Sequence, residues 1–472
     1  MDSLNNCAIL LSMKTQTPFR PYNPDQLLLL PPDMTRWLPE DHLVYFIRDM
    51  VGQMDLSAIY GSYDGSKGGY PAYHPEMMVA LLIYGYCVGV PSSRKIEKAT
   101  HELIPFRVLT ADQHPDHDTI AEFRHRHLEA LAALFVEVLR LCQKAGLVKL
   151  GHVSLDGTKV RANASKHKAM SYARMEKSVV ELEAEVKRLL AEAEVTDELE
   201  DSQYGKGRRG DELPEELRFK QGRLSRIKEA KAVLEREALE QAEQERLDQE
   251  KKRQDREASG DRRGRPPKAP SEKPDGKAQY NFTDPESRIM KGSATQSFEQ
   301  SYNCQAAVDS HSQVIVATGV TQEANDKEQL KPMVERLKAN LEGSKPGQMT
   351  TDNGYFSEEN VDYLAQEQID GYVATGRIKH GDQPLPAPRG RIPKNASPKA
   401  RMSRKLRTLK GRMTYAKRKE TSEPVFGQIK QVRGFRQFLL RGLRKVSAEW
   451  DLICLGHNML KLFRSTWRPA TA

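Results

Sequence analysis

From about residue 170 to residue 257 about half of the residues are charged, and the larger apolar ones keep a helical register. Met175, Val179, Leu182, Val186 and Leu189 follow 4-3-4-3 spacing, while Leu217, Leu224, Ile227 and Leu234 keep a 7-3-7 register. Such spacing draws one apolar stripe along each of two helices and predicts that they pair as an antiparallel coiled coil. A stretch of this kind cannot extend into a sheet, so the strand signals on either side of it must meet across it. One is His152–Lys159, with Asp156 at its end; the next are Tyr302–Val308 and Val314–Val320, separated by a turn at Asp309–Ser312. A Pro-rich basic segment, GDRRGRPPKAPSEKPDGK, follows Glu257 with too few apolar residues to fold and reads as a linker.

On either side of this insertion the periodicity differs. Apolar 3.6-residue patterns in His42–Met54, Pro75–Val88, Ser93–His101, Asp118–Leu128 and Leu131–Ala145 predict an all-α N-terminal region. Within it, Ser92 and Ser93 start a helix carrying Arg94 and Lys95, and Asp116 caps another carrying Arg124 and Arg126, an arrangement compatible with helix-turn-helix DNA binding. A plain helical bundle with solvated basic faces fits the same residues. From Asp326 onward, helix and strand alternate: a helix to about Leu341, a strand at Gln348–Asp352, a helix after Ser357 and a strand at Gly371–Thr375. Alternation of this kind predicts an α/β domain built on a central sheet. The expected fold class is therefore α+β and multidomain. Its parts are a helical domain over 19–150, an α/β domain made of 151–165 plus 281–465, a helical insertion over 166–258 and a linker over 259–280.

The chain carries 74 Lys and Arg against 65 Asp and Glu, a net +9 that favours a polyanionic partner. The five cysteines are scattered and form no CxxC, which argues against a disulfide framework and against a Cys-rich zinc site. The apolar runs are too short to span a bilayer and the start of the chain lacks a signal-peptide pattern, so a cytoplasmic protein without membrane contact is expected.

Three acids carry the chemical signal. Asp156 closes one strand (VSLDGT), Asp352 closes another and precedes a turn (TTDNGYFS), and Glu423 opens a predicted helix (SEPVFGQIK), with Ser422 or Thr421 as its cap and Pro424 in its first turn. Neighbouring parallel strands present their C-terminal ends at one edge of a sheet, where a packed helix can add a third carboxylate. Oxygen ligands of this kind suit Mg²⁺, and a pair of such ions supports phosphodiester displacement. Singly, each acid reads as a solvated turn residue, and only the combination points to metal. Between Arg389 and Lys419 there are thirteen Lys or Arg and no Asp or Glu, a block suited to DNA phosphates. Tyr415 and Arg418 share one helical face within it, and Lys430 lies two turns beyond Glu423.

These motifs resemble those of the bacterial insertion-sequence DDE transposases, in the branch (the IS-four superfamily type) whose last acidic region carries a Tyr-Arg-Glu-Lys signature. The likeness runs from FRPYNPDQLLLLPPDMTRWLPEDHL and YPAYHPEMMVALLIYGYCVGVPSSRKIEKA, through VSLDGTKVRANAS and TTDNGYFSEENV, to YAKRKETSEPVFGQIKQVRGFRQFLLRGLRKVSAEWDLICLGHNMLKL. The resemblance implies an RNase H-like catalytic core, an Mg²⁺-dependent reaction in which Mn²⁺ can substitute, binding of the element's double-stranded terminal repeats by the helical domain, and a homo-oligomer that pairs two ends. Asp156, Asp352 and Glu423 would then hold metal, while Tyr415, Arg418 and Lys430 would place phosphates. The chain departs from the signature in one respect: four residues, not three, separate Arg418 from Glu423, which leaves Glu420 as a rival third ligand. Asp309 and Asp326 read as turn and cap residues. Two other functions fit the same residues, a nuclease of the same fold without strand transfer and a non-catalytic DNA-binding regulator.

Overall fold

The computed structural model describes residues 33–63, 72–204, 215–259, 268–292, 297–376, 386–393 and 395–466. The expected start of the helical domain at residue 19, and residues 260–267 of the expected linker, lie outside the described residues. Seven helices come first: α1 (Leu43–Val51), α2 (Ser57–Tyr60), α3 (Pro75–Val88), α4 (Ser93–Glu102), α5 (Ile104–Thr110), α6 (His117–Arg126) and α7 (Leu128–Lys144). Sequence periodicity anticipates all but the short α2 and α5, which span too few turns to show a repeat. Asp116 caps α6 as expected, accepting from the Thr119 N–H at 2.7 Å.

Strand β1 (His152–Arg161) follows, then β2 (Ala169–Ser171) and the two long helices α8 (Tyr172–Tyr204) and α9 (Glu215–Ser259). These two pair antiparallel: Glu185 meets Lys220, Glu183 meets Lys228 and Glu176 meets Lys231, partners that run in opposite order along the two helices. Met175, Leu182, Ile227 and Leu234 fill the seam, as their spacing predicts. The insertion returns through β3 (Gln279–Asn281), which pairs with β2 and leads into β4 (Arg288–Lys291), β5 (Phe298–Asp309) and β6 (Ile315–Thr321). The remaining elements are α10 (Leu330–Asn340), β7 (Gln348–Thr351), α11 (Glu358–Gln366), β8 (Asp370–Val373), α12 (Pro398–Arg407), α13 (Leu409–Gly427) and α14 (Leu443–Thr466).

The main sheet is mixed and runs β4-β5-β1-β7-β8, with β6 also paired to β5. Strands flanking the insertion do meet across it, since β1 lies antiparallel to β5 from Val153 opposite Asp309 to Arg161 opposite Ser301. On its other edge β1 is parallel to β7 for only four residues, ending at Leu155 opposite Thr351. Asp156 therefore does not end its strand, as its turn-like context suggested. The long β5 carries β1 on to Arg161, and what ends beside Asp156 is β7.

Helix α14 joins the helical part of the chain to the sheet. It packs on α3 and α7 and also on β6, and its buried Trp450 donates through Nε1 to the Gln305 carbonyl at 3.0 Å. Buried apolar residues from α1 to α14 form one continuous core. A covered core of this size provides the main stabilisation of the fold. Among the described residues no single helix is long and apolar enough to cross a membrane.

Candidate active site

The parallel register of β1 and β7 determines what happens at their open end. Leu155 and Thr351 are the last pair, so the next residues on the two strands, Asp156 and Asp352, stand side by side. Asp156 is buried; its Oδ1 accepts from the Gly157 N–H at 3.0 Å, and its Oδ2 accepts from the Arg418 Nη2 at 2.9 Å and the Ser422 hydroxyl at 3.1 Å. Asp352 caps the turn after β7 through Oδ1, which accepts from the Gly354 N–H at 2.8 Å, and turns Oδ2 to within 4.0 Å of the same Arg418 nitrogen. Two carboxylates thus converge on one cationic atom.

Burial pushes the Asp156 carboxyl above the usual range, and Arg418 and Ser422 pull only part of that back while Asp352 adds to it. Asp352 is raised for the same first reason, burial, with Asp326 contributing. Burial disfavours the Arg418 cation, but Asp156, Tyr415 and Asp352 outweigh it and its pKa rises. Two carboxylates thus face one guanidinium at this edge, and burial more than mutual repulsion raises their pKa values.

Helix α13 crosses this edge, touching β1 through the Ser154–Ser422 hydroxyl pair at 3.3 Å as well as through Asp156. Glu423 does not open a helix; it lies near the C-terminal end of α13, and Pro424 is inside the helix. A proline there leaves the carbonyl four residues back without its usual N–H partner. That carbonyl belongs to Glu420, and the Gln313 side-chain amide donates to it at 2.8 Å, which offsets the lost bond. Phase then decides which side chains face Asp156. At about 100° per residue, Ser422 lies about 40° round the helix from Arg418 and Glu423 about 140° round. Ser422 accordingly touches Asp156, while Glu423 is exposed, in electrostatic range of Tyr415. Its rival Glu420 is exposed as well.

The other expected site residues divide between the site and the scaffold. Tyr415 is half-buried beside Asp156 and Asp352, and burial raises its phenol pKa. Lys430 sits in the π-helical turn Gln428–Val432 that continues α13, donates to the Lys159 carbonyl at 2.6 Å and has its pKa lowered by burial. Arg94 and Lys95 are exposed at the start of α4. Arg126 is exposed too, donating to the Ser62 carbonyl at 2.7 Å and lying over the Tyr63 ring. Arg124 departs from the expected DNA-contacting role: it is buried and donates to the Pro91 carbonyl at 2.7 Å, tying α6 to the turn before α4. Residues two apart on a helix point in different directions, so Arg124 turns inward while Arg126 stays exposed. Arg433 is likewise an internal brace, donating to the Tyr86 and Ile453 carbonyls.

Two acids read as turn and cap differ. Asp309 is a turn residue, accepting from the Leu150 and His311 N–H groups. Asp326 makes no side-chain cap bond to the helical turn that follows it. Its carboxylate instead reaches the end of the sheet near Asp352 and accepts from the amides of Asn303 and Gln305, both at 2.7 Å. An Asn-Asp-Lys run before a helix gives no local sign of this, because the partners come from β5.

Among the described residues no three His, Cys, Asp or Glu side chains are grouped so that they could hold a metal ion. The donor set nevertheless suits a hard divalent ion: all-oxygen, charged, at the end of a parallel strand pair, and converging on a positive atom.

Two family models match parts of the chain. A family model described as transposase domain matches residues 32–126, from the start of the described helices through α6. One described as transposase DDE domain matches residues 390–463, which covers α12 to α14 and so contains Tyr415, Arg418, Glu423 and Lys430. Asp156 and Asp352 lie between the two matched segments. No curated protein and no solved structure matches the chain. The chain thus matches a transposase domain in its helical part and a transposase DDE domain across its last three helices, which supports an insertion-sequence DDE transposase.

Proposed function

We propose that this transposase cuts the ends of its element and joins them to target DNA at the Asp156–Asp352 edge of an RNase H-like core, 151–165 plus 281–465. The observation that carries the reading is the parallel pairing of β1 and β7, which sets the two carboxylates side by side around the Arg418 guanidinium. Asp156, Asp352 and Glu423 would hold Mg²⁺ or Mn²⁺, and such ions, when bound, activate a water or a 3′-hydroxyl and stabilise the leaving oxygen. Arg418 is the counter-ion of the two carboxylates in the free protein. Released from them, its planar fork suits a DNA phosphate near the scissile bond. Tyr415, half-buried on the same helix, narrows the site, and Lys430 braces α13 on β1 and adds positive charge beside the phosphate path. The departure from the Tyr-Arg-Glu-Lys spacing is then met by α13 itself, which must turn or shift to bring Glu423 to the position that Ser422 holds.

The helical domain, 19–150, would bind the terminal repeats through exposed cations such as Arg94, Lys95 and Arg126, and the basic helices α12 and α13 would track the backbone. The helical insertion, 166–258, offers an exposed rod suited to pairing two copies, with the linker at 259–280 leading back to the sheet. α9 alone is about 68 Å long.

A fragment carrying the element's own end tests the reading. In Mg²⁺ the wild-type chain should cut at the end, whereas Asp156→Ala, Asp352→Ala and Glu423→Ala should bind the fragment at the same salt and leave it whole. Cutting by Glu423→Ala would remove Glu423 from the ligand set. Binding without cutting by the wild type, in Mg²⁺ and in Mn²⁺, would overturn the reading.

A further inference from the structure

Asp326 sits at the same sheet edge, with its two oxygens in different situations. Oδ1 is fixed by the Asn303 and Gln305 amides, and Gln305 is itself held by a hydrogen bond from the buried Tyr355 hydroxyl. β5 sets this arrangement: Gln305 lies opposite Gly157 and Asn303 opposite Lys159, so both amides rise from the strand beside β1. Oδ2 has no hydrogen-bond partner among the described residues, and no Lys, Arg or His pairs with the carboxylate.

Two glycines make room for this carboxylate. A Cβ on Gly157 would stand 2.7 Å from the Asp326 Oδ1 and 2.8 Å from the Gln305 amide nitrogen. A Cβ on Gly354 would stand 3.0 Å from both the Asp326 Oδ2 and the Asp352 Oδ1. Neither glycine has a positive φ, so turn geometry does not demand them. What requires their small size is the carboxylate pressed between the residue after Asp156 and the turn after Asp352. An acid fixed by neutral amides, with a free oxygen aimed toward a second acid, is electrostatically unfavourable unless a cation joins them.

We propose that Asp326 is a further ligand of the divalent metal site, held by Asn303 and Gln305 and presenting its Oδ2 beside Asp352. This rests on the reading above that Asp156 and Asp352 bind metal. It extends that reading by giving the site an acid already in place before α13 delivers Glu423. Asn303 and Gln305 are positioning residues, since they act through Asp326.

Mn²⁺ titration of the full chain, followed by the loss of the free-ion paramagnetic resonance signal with and without the DNA end, tests the assignment. Asp326→Asn keeps the Oδ1 acceptor and removes the charge; it should weaken Mn²⁺ binding about tenfold, with the melting temperature in EDTA and DNA affinity unchanged. Glu323→Gln, an exposed acid nearby, should bind Mn²⁺ as the wild type does. If Asp326→Asn stays within about twofold of wild type while Asp352→Asn loses the ion, Asp326 is not a ligand and the Asp156–Asp352 reading stands. If Asp156→Asn and Asp352→Asn also bind Mn²⁺ like wild type, the reading itself falls and the Asp326 assignment with it.

Discussion

The sheet edge and helix α13 contribute to the same site by different geometric rules. Asp156 and Asp352 are neighbours because two strands pair in parallel, and a strand register holds over every residue of the ladder. Glu423 depends on helical phase, which advances about 100° with each residue, so at five residues past Arg418 it lies off the face that Ser422 occupies. The first arrangement tolerates changes in loop length; the second is altered by a single insertion. A site assembled in this way has a fixed half and an adjustable half, and the adjustable half also carries the counter-ion Arg418.

The largest expected effect lies in the fixed half. Asp352→Asn should lower Mg²⁺-dependent cleavage by about 10³-fold or more, without lowering the melting temperature in EDTA, because the folded carboxyl is already pushed up by burial. For a carboxyl raised in the folded state, the destabilisation grows as pH rises from the unfolded pKa to the raised folded one and is complete above it, so neutralising it should help at neutral pH. A lowered melting temperature would mean that the charge serves packing rather than metal.

In the adjustable half, Glu423→Ala should cost about 10²-fold in cleavage, whereas Ser422→Ala should cost under about tenfold. Reversed magnitudes would make the observed phase of α13 the working one. Arg418→Gln sharpens the comparison in another assay: without DNA it should bind Mn²⁺ about tenfold more tightly, since a competing cation is gone, while cutting more slowly. Equal Mn²⁺ affinity in the variant and the wild type would remove Arg418 as counter-ion.

Much of the fold was legible in sequence. The strands that form β1, β5, β6, β7 and β8 show as apolar runs between turn signals, and the spacing from Met175 to Leu234 foretold the antiparallel pair of α8 and α9. β2, β3 and β4 are three or four residues long and carry no such pattern. The sequence placed the first two acids at strand ends, but only the sheet shows their strands to be parallel neighbours. Glu423 was misplaced at a helix start because Pro424 belongs there on local grounds, and only the tertiary bond from Gln313 reveals how an interior proline is accommodated. Asp326 and Arg124 show the same limit: the partners of each, in β5 and before α4, lie too far along the chain for local pattern to show.

Two smaller effects concern the scaffold around both halves. His457 on α14 is buried against the Gln313 carbonyl, and burial drives its pKa down to about 3. Because an unfolded chain takes up this proton near pH 6.5, stability should fall by about 1.4 kcal/mol per pH unit below that, down to the folded pKa. His457→Gln should flatten this slope in urea titrations between pH 6 and 4; an unchanged slope would place the acid sensitivity elsewhere. Gln313→Ala should cost about 1–2 kcal/mol by leaving the Glu420 carbonyl and the Lys461 ammonium to water, and a larger loss of cleavage than of stability would show that α13 depends on the Glu420 bond for its phase.

Strand joining tests the central claim most directly. A labelled, pre-cut element end with a free 3′-hydroxyl, mixed with plasmid and the full chain in Mg²⁺, should become covalently linked to the plasmid. No linked product should form with Asp156→Asn, with Asp352→Asn, or in EDTA. Joining that persists in either variant would contradict the assignment of this chemistry to the open end of β1 and β7.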